Sequence, residues 1–376
     1  MNRGNENHLP DEHAGAGRDR HAADDRCRSI VPPYLLARIA EADDPRFQQA
    51  SEAARHSLAR DGVRYGEPAP VTRTPSRRRS RSAATAGKPD RTISDAGGLE
   101  KLPGAVVRKE GEPAVEDVTV NEAYDGLGDT FDLFWEAYGR DSIDGKGLPL
   151  DATVHYGDKY DNAFWDGERM VFGDGDGEVF TRFTIANDII GHELTHGVTQ
   201  STANLVYEGQ SGALNESISD VFGSLVAQYS KRQTVDQASW LIGEGLFTDE
   251  VQGVALRSLK APGTAYDDDV LGKDPQPAHM RDYDHTTDDS GGVHINSGIP
   301  NHAFYLAATA IGGNAWEKAG QIWYDALTGD SLTARADFAA FAKITADAAA
   351  ARYGADGPEA EAVKAAWRAV GVIADR

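Results

Sequence analysis

The feature that most constrains the fold of this chain is a pair of histidines four positions apart, His192 and His196, in the sequence His-Glu-Leu-Thr-His. In an α-helix, side chains at positions i and i+4 lie on the same face, one turn apart. Both imidazoles can therefore bind one zinc ion, each nitrogen at ~2.0–2.1 Å from the metal. Glu193 projects beside that position, where a general base for water belongs. The motif predicts a metal-binding helix, although the same five letters also occur by chance on ordinary helices.

A catalytic zinc site needs a third protein ligand, and two known arrangements can be compared with the sequence. In the metzincin arrangement, a histidine follows the second histidine by six residues, but Thr202 occupies that position and Thr199 replaces the intervening glycine. In the other arrangement the ligand is a glutamate on a following helix, and Glu216 fits it. Asp220 lies one turn further, where it can accept an imidazole N–H. We favour Glu216 as a ligand over the alternative of a solvated helix carboxylate.

The hydrophobic pattern divides the chain into two textures. From about residue 100 to 185, short β-rich stretches alternate with turn signals, and residues 173–177 (Gly-Asp-Gly-Asp-Gly) are expected to connect a tight hairpin. From about residue 186 onward helical periodicity dominates. The pattern predicts an α+β fold with a strand-rich N-terminal lobe, a mainly helical C-terminal lobe, and the zinc helix and active-site cleft between them. Helices are expected at 300–311, 315–327, 333–352 and 358–370.

Composition excludes several classes of protein. Asp and Glu number 60 against 38 Lys and Arg, a net charge of −22, which disfavours a nucleic-acid partner. No apolar run approaches the roughly 20 residues that span a bilayer, so we expect no membrane-spanning segment. Cys27 is the only cysteine, which excludes a disulfide scaffold. Residues 1–26 have no apolar stretch typical of a Sec signal peptide.

Taken together, the motifs resemble the thermolysin family of zinc neutral metalloproteases. Three further blocks carry the resemblance: residues 162–165 (Asn-Ala-Phe-Trp), 256–259 (Leu-Arg-Ser-Leu) and 289–298 (Asp-Ser-Gly-Gly-Val-His-Ile-Asn-Ser-Gly). They are similar to the family's edge strand, its arginine-bearing segment and its second active-site loop. The resemblance covers about residues 95–376.

The resemblance implies a role for each matching catalytic residue. It implies that His192, His196 and Glu216 hold one catalytic zinc, supported by Asp220 and Asn215. Glu193 is implied to be the general base, while His294 and Tyr207 stabilise the oxyanion and Asp289 orients His294. Without the family match, Tyr207 is equally well a core aromatic residue and His294 a surface-loop histidine.

The resemblance also implies how a protein or peptide substrate is bound. Arg257 is implied to bind a substrate carbonyl, and Asn162 and Ala163 to bind the substrate main chain. An apolar pocket is implied to be formed by Phe180, Phe183, Ile189 and Leu256. We therefore expect cleavage on the amino side of bulky apolar residues. The protein is expected to be a monomer.

A calcium site of this family is only partly matched. Asp188 and Glu244 correspond to two of its ligands, but Ala227 and Leu241 stand where two other carboxylates would be. Because calcium prefers roughly six to eight oxygen ligands, we expect at most one calcium ion here.

The N-terminal region differs in charge from the remainder of the chain. Residues 1–91 hold 17 basic and 13 acidic side chains, whereas residues 92–376 hold 21 and 47. Residues 29–36 resemble the short propeptide of the protealysin-like subgroup. We expect residues 1–65 to be a propeptide that inhibits the enzyme intramolecularly, with Pro32, Pro33 and Tyr34 in the cleft. A plain N-terminal appendage is the alternative, and Cys27 is either a cap on the zinc or an incidental thiol.

The remaining boundaries follow from composition and from the resemblance. Residues 66–91 are rich in Pro, Ser, Thr and Arg, which predicts a flexible linker with a processing site. A basic nucleic-acid-binding tail is the competing interpretation of its arginines. The N-terminal lobe of the catalytic domain is expected at 92–200, including the zinc helix, and the helical lobe at 201–376.

The sequence thus predicts a zinc endopeptidase made as a self-inhibited precursor. A binding protein with an inert zinc site is the alternative. The resemblance implies secretion without a Sec signal peptide, and a cytoplasmic location is the alternative.

Overall fold

A six-stranded mixed sheet forms the N-terminal lobe in this computed structural model, which describes residues 28–66 and 86–374. Its strands are β1 (Arg28–Ser29), β2 (Arg91–Asp95), β3 (Ala105–Lys109), β4 (Leu150–Val154), β5 (Ala163–Trp165) and β6 (Arg169–Phe172). Their spatial order is β1-β5-β6-β4-β2-β3. β2, β4 and β6 run parallel, and the other neighbours are antiparallel. The N-terminal strand β1 therefore extends one edge of this sheet.

A long helix, α3 (Val118–Tyr138), covers the sheet, although the sequence analysis expects only strands and turns between residues 100 and 185. Asp117 caps its N-terminus by accepting a hydrogen bond from the Thr119 backbone N–H at 2.9 Å. Gly139 ends it with φ of 65°, a conformation that glycine adopts without steric cost. Both end signals are present in the sequence, so this helix is an oversight of the strand-based interpretation.

Two long helices cross at the centre of the molecule, α4 (Asn187–Ser201) and α5 (Gly209–Ser230). Gly191 on α4 and Gly223 on α5 lie at the point where the two helices are in contact. A Cβ atom added to Gly223 would lie 2.4 Å from the carbonyl oxygen of Asp188, which is shorter than any normal contact. Because neither residue carries a side chain, the helices approach closely enough for groups on both to share one site.

The C-terminal lobe is mainly helical, as predicted. Its later helices are α6 (Asp289–Asn296), α7 (Gly298–Ile311), α8 (Ala319–Thr328), α9 (Phe338–Tyr353) and α10 (Pro358–Ala369). Trp323 and Trp367 stack in its core with ring centroids 6.3 Å apart. Helix α9 begins later than the expected residue 333 because Asp337 caps it by accepting from the Ala340 backbone N–H. The α+β fold with two lobes of different character is confirmed.

The irregular region between α5 and α6 contains only short elements. Two pairs of short strands lie there, β7 (Leu241–Ile242) with β8 (Arg257–Ser258) and β9 (Asp267–Asp268) with β10 (Gly272–Lys273). A 3-10 turn follows at Met280–Asp282. None of the helices within the described ranges is long and apolar enough to cross a membrane.

The hairpin expected at residues 173–177 is wrong. β6 ends at Phe172, and Val179 and Phe180 form no strand that pairs back onto it. Instead the carboxylate of Asp176 accepts hydrogen bonds from the backbone N–H groups of Glu178 and Val179 at 2.7 and 2.6 Å. These bonds stabilise the segment as a loop, and its glycines lie in that loop rather than in a turn between two paired strands.

The N-terminal segment packs onto the two lobes as two helices. They are α1 (Pro33–Ala40) and α2 (Gln48–Gly66), joined through a 3-10 turn at Pro45–Phe47. Its buried apolar side chains, including Leu35, Leu36 and Ile39, belong to the same hydrophobic cluster as those of the catalytic lobes. Residues 67–85 of the expected linker, residues 1–27 with Cys27, and residues 375–376 lie outside the described residues.

Candidate active site

The two histidines of the zinc motif and Glu216 meet at the crossing of α4 and α5. The Nε2 atoms of His192 and His196 are 3.1 Å apart. The Glu216 carboxylate lies 3.5 Å from the first of them and 3.4 Å from the second. All three side chains are fully buried. Among the residues that the structure describes, they form the single group of three metal-ligating side chains within 4.8 Å of one another.

The chemistry of these donors fits a zinc ion. Glu216 Oε2 is buried but accepts no hydrogen bond. Buried polar atoms are nearly always satisfied, so an orphaned carboxylate oxygen beside two converging imidazole nitrogens indicates a cation between them. One carboxylate and two imidazoles are also the ligand set of several catalytic zinc sites, which keep the fourth position open.

Residues behind the ligands set which imidazole nitrogens face the site. His192 Nδ1 donates to Asp220 Oδ1 at 2.8 Å, and His196 Nδ1 donates to Asn215 Oδ1 at 2.9 Å. Because the Nδ1 atoms carry the protons, both Nε2 lone pairs are directed at the metal position. Ser219, which the sequence analysis missed, adds a second contact to His196 Nδ1 at 3.0 Å.

Asp220 also holds Arg257 in a buried ion pair. The Arg257 guanidinium donates to both Asp220 oxygens at 2.9 Å, and Asn301 Nδ2 donates to Oδ2 at 2.8 Å. Burial alone would raise the pKa of Asp220, but Arg257 and His192 together hold this pKa well below its usual range. Asp220 is therefore ionised and links His192 to Arg257, the arginine expected to bind a substrate carbonyl. Sequence reasoning missed Asn301, although an asparagine within an apolar helix was a visible signal.

The expected general base is fixed at the edge of the same site. Glu193 is fully buried on α4, and its Oε2 accepts a hydrogen bond from the Trp165 backbone N–H at 3.0 Å. This bond joins the zinc helix to β5 and holds the carboxylate beside, rather than on, the metal position.

Tyr207, His294 and Asp289 form the opposite wall. The Tyr207 hydroxyl donates to Glu216 Oε1 and lies 3.2 Å from His294 Nε2. His294 Nδ1 donates to Asp289 Oδ1 at 2.7 Å, while the His294 backbone N–H donates to Oδ2 at 2.9 Å. Burial alone would lower the pKa of His294, but Asp289 and Glu216 raise it to about 9. The imidazole is thus held in one orientation as a donor.

The loop that carries His294 adopts an unusual backbone conformation. Residues 289–292 all have positive φ, at 51°, 53°, 84° and 72°. Asp289 and Ser290 are not glycines, so this left-handed conformation is strained and has to be imposed by the surrounding structure. The reversal brings the Asp289 carboxylate back onto the backbone N–H and the ring Nδ1 of His294.

The N-terminal strand β1 and the residues after it lie directly in this cleft. His294 Nε2 donates to the Ser29 carbonyl oxygen at 3.2 Å. The Ile30 backbone N–H donates to the Ala163 carbonyl at 3.1 Å. Arg257 Nη1 donates to the Ile30 carbonyl at 3.0 Å. Residues expected to bind a substrate therefore bind this chain's own N-terminal segment.

Asn162 makes the next pair of contacts along the segment. Its Oδ1 accepts from the Val31 backbone N–H at 2.9 Å, and its Nδ2 donates to the Val31 carbonyl at 3.3 Å. Pro32 and Pro33, which were expected in the cleft, lie at the start of α1, where the Pro32 carbonyl accepts from Leu35 N–H. Tyr34 is half-buried, and burial together with Tyr266 and Asp274 raises the pKa of its hydroxyl.

Helix α2 contacts the residues that lead into β5. The carboxylate of Asp61 accepts from the Tyr160 hydroxyl at 2.7 Å and from Asn162 Nδ2 at 3.1 Å. Ser57 Oγ accepts from the Asp161 backbone N–H at 3.0 Å. Sequence reasoning missed Asp61 and Ser57, because nothing in the sequence relates them to residues about a hundred positions away.

The four expected pocket residues are buried within one hydrophobic cluster that also includes Ile30. The rings of Phe180 and Phe183 are 5.6 Å apart. Ile189 precedes the zinc motif on α4, and Leu256 precedes Arg257.

The two expected calcium ligands, Asp188 and Glu244, lie in different surroundings. Asp188 is buried and accepts from the Gly243 backbone N–H at 2.6 Å, whereas Glu244 is exposed. Burial raises the pKa of Asp188 to about 6. Within the described ranges, neither belongs to a group of three metal-ligating side chains. A calcium ion here stays a prediction.

Comparisons with known proteins agree with this geometry. Residues 98–200 match the family model for the thermolysin metallopeptidase catalytic domain, and residues 203–372 match that for its alpha-helical domain. An extracellular metalloprotease of Pectobacterium carotovorum subsp. carotovorum is 51% identical over 345 residues, covering 92% of this chain and 96% of that protein. Protease PrtS of Photorhabdus sp. (strain Az29) is 44% identical over 357 residues, covering 92% of each chain.

A solved structure shares both the fold and the N-terminal extension. The precursor of protealysin, a metalloproteinase from Serratia proteamaculans, is 53% identical, with a TM-score of 0.83. The match covers 92% of this chain and 100% of that chain.

Proposed function

The chain belongs to the thermolysin family of metallopeptidases, and on that premise we propose that it is a zinc endopeptidase made as a self-inhibited precursor. Its substrates are proteins or peptides, cleaved on the amino side of bulky apolar residues. The observation that carries the proposal is the buried convergence of His192, His196 and Glu216, with Glu193 held beside them. Bound zinc supplies Lewis-acid polarisation of a carbonyl and acidification of water.

Glu193 moves the proton in this mechanism. Its carboxylate takes a proton from the attacking water and later gives it to the leaving amine, as general base and then general acid. The Trp165 N–H holds one carboxylate oxygen at 3.0 Å, which fixes the direction of the group before the substrate arrives. No side-chain nucleophile is needed, because the attacking group is water.

Two donors meet the negative charge that develops on the carbonyl oxygen. His294 Nε2 donates to the Ser29 carbonyl oxygen, and the Tyr207 hydroxyl oxygen lies beside it, 3.2 Å from this nitrogen. Asp289 orients the imidazole through Nδ1 and favours its protonated form. Preorganised donors of this kind are worth about 10²–10³-fold in rate, since they act mainly on the transition state.

The substrate main chain is bound as an added strand. Asn162 and Ala163 lie at the start of β5, on the edge that pairs with β1, and Arg257 donates to the Ile30 carbonyl from the other side of the segment. Phe180, Phe183, Ile189 and Leu256 receive the apolar side chain that follows the cleaved bond. The contacts made here by Ile30 and Val31 support this assignment.

The N-terminal segment is the inhibitor. We assign residues 1–65 to the propeptide, 66–91 to a linker that carries the processing site, 92–200 to the N-terminal lobe and 201–376 to the helical lobe. The supporting observation is that the segment fills the substrate positions with its own backbone. Two relatives, from Pectobacterium carotovorum and Serratia marcescens, have names that include the word extracellular, which supports an extracellular location.

A peptidase assay tests the proposal. Wild-type chain should hydrolyse casein, lose this activity on chelation of zinc, and regain it when zinc is added back. Glu193→Gln should bind zinc but hydrolyse nothing measurable. Equal activity of Glu193→Gln and wild type, or no activity in any preparation, would instead favour a binding protein with an inert zinc site. Digestion of a peptide library should show bulky apolar residues directly after the cleaved bonds.

A further inference from the structure

The N-terminal segment does more than cover the cleft, because its backbone is aligned like that of a substrate. We propose that the Ser29–Ile30 peptide bond is itself presented for hydrolysis and is the first bond that the enzyme cleaves in its own chain. This inference rests on the proposed peptidase function. It differs from a segment that blocks the cleft without being cut, and from processing that begins in the linker at 66–91.

The position of one carbonyl oxygen identifies the presented bond. Among the carbonyls of the segment, that of Ser29 accepts the hydrogen bond from His294 Nε2 at 3.2 Å. His294 is also in contact with Glu216, whose Oε2 lies 3.5 Å from the same nitrogen. A carbonyl held by the oxyanion donor and next to the zinc ligands is the carbonyl that water attacks.

The contacts that follow Ser29 fix the direction and register of the segment. Ile30 N–H, the nitrogen of the presented bond, donates to the Ala163 carbonyl at 3.1 Å. Arg257 then binds the Ile30 carbonyl, and Asn162 binds both backbone groups of Val31. β1 is antiparallel to β5, with Ser29 opposite Phe164. A slip by one residue would exchange the faces of every side chain and break all these contacts together.

The side chains also satisfy the expected specificity. Ile30 follows the presented bond, is fully buried, and belongs to the same cluster as Phe180, Phe183 and Leu256. The Ser29–Ile30 bond is an ordinary secondary amide, whereas the bonds before Pro32 and Pro33 are tertiary amides without an N–H. The prolines therefore stand beyond the cut, where they start α1, and do not protect the presented bond.

The reaction balances as a simple hydrolysis. The oxygen of one water bonds to the Ser29 carbonyl carbon, the bond from that carbon to the Ile30 nitrogen breaks, and this nitrogen takes a proton through Glu193. The products are a fragment that ends in the Ser29 carboxylate and a chain that begins with the Ile30 amine. Because the bond is tethered within its own active site, its cleavage is intramolecular and independent of protein concentration.

Timed cleavage of the full chain tests the proposal. The chain is purified with a zinc chelator, and zinc is then added back to samples at two protein concentrations that differ roughly a hundredfold. Cleavage is followed by intact mass and N-terminal sequencing. The first product should begin Ile30-Val31-Pro32, with the same half-time at both concentrations. Glu193→Gln should stay intact. Ile30→Ser should slow this cut about tenfold or more through loss of apolar burial, while the matched variant Ile30→Leu should keep it.

An external peptide assayed in the same samples separates failure of the Ser29–Ile30 proposal from failure of the peptidase function. If the peptide is hydrolysed but the Ser29–Ile30 bond persists, or the first cut falls within 66–91, the proposal is overturned and the peptidase function stands. A half-time that rises in proportion to dilution also overturns it, because the cut would then be made by another molecule. If no sample hydrolyses the peptide and no chain is cleaved, the peptidase function itself has failed.

Discussion

The active-site cleft is built by two regions that are held in very different ways. From inside, α4 and α5 bring three ligands together through fully buried side chains, each fixed by a second buried partner such as Asp220 or Asn215. From outside, a two-residue strand and the two residues after it reach the same place through backbone hydrogen bonds. The metal centre is therefore set by the packing of the core, whereas the N-terminal segment, which we propose to be the inhibitor, contacts the site from outside.

This difference explains how a precursor can contain a complete active site. Almost none of the contacts within the metal centre involve residues 28–66, so removal of the segment leaves the ligands and their partners in place. The segment, in turn, takes its position from groups that would bind a substrate, namely Asn162, Ala163, Arg257 and His294. Changes in the inner region should abolish chemistry, and changes in the outer region should alter latency.

The largest effect is expected for Glu193→Gln, in the inner region. Loss of the general base should lower kcat/KM about 10²–10⁴-fold, with zinc content unchanged because Glu193 is not a ligand. Hydrolysis of a synthetic peptide measures kcat/KM, and metal analysis of the same sample measures its zinc content. A variant that lost zinc together with activity would show that Glu193 supports the metal site, contrary to its placement beside Trp165.

A smaller effect is expected for Asn215→Ala, behind the ligand His196. The imidazole would lose the acceptor that orients it at 2.9 Å, so zinc affinity should fall about 10–100-fold. Competition with a chelator measures this affinity. Asn215→Asp, which keeps an acceptor oxygen, is the matched control and should retain much tighter binding than the alanine variant. Equal zinc affinity in all three proteins would show that Asn215 does not support zinc binding through His196.

In the outer region, Asp61→Ala should weaken the inhibitory segment without touching the metal centre. The variant loses the acceptor for Tyr160 and Asn162, so the initial rate of the uncut precursor on a small peptide should rise about tenfold. Arg55→Ala, an exposed position on the same helix, is the matched control and should leave the rate unchanged. An unaltered rate for Asp61→Ala would mean that α2 contributes nothing to latency.

The smallest effect lies outside both regions, at His155. Hydrogen bonding to Asp174 raises the pKa of His155 to about 9, although burial opposes the shift, and Asp117 adds to it. A raised folded-state pKa stabilises the fold fully below the unfolded-state pKa near 6.5, and this stability is lost as pH rises through about 9. His155→Gln should therefore cost about 1 kcal/mol at pH 6, after allowance for solvent screening, and almost nothing at pH 10.

Urea unfolding of the wild-type protein and of His155→Gln at pH 6 and at pH 10 measures the difference in their free energy of unfolding. A larger difference at pH 10 than at pH 6 would contradict the assignment, because the sign of the pH dependence follows directly from the raised pKa.

The two regions also differ in how much of them the sequence predicts. The ligands are predictable because helical periodicity alone places His192 and His196 on one face, and Glu216 with Asp220 on another. The outer region is recognisable only by resemblance, and its register is not predictable. Sequence reasoning puts the prolines in the cleft, whereas the structure puts Ser29, Ile30 and Val31 there, because the register depends on tertiary contacts with β5.

Two further differences have local physical causes. The expected hairpin at 173–177 is wrong because the Asp176 carboxylate caps the following backbone as a loop, a bond that glycine spacing does not reveal. Helix α3 went unpredicted because β-rich residues on either side dominated the pattern, even though Asp117 and Gly139 mark its ends. Contacts between distant segments, such as Asp61 with Asn162, are invisible to any local pattern.

Metal analysis combined with activity tests most directly whether the buried centre on α4 and α5 performs the chemistry. One zinc per chain should be found in active material, a chelator should stop hydrolysis of an external peptide, and added zinc should restore it. Active protein without stoichiometric zinc, or turnover that continues unchanged in the presence of chelator, would contradict this.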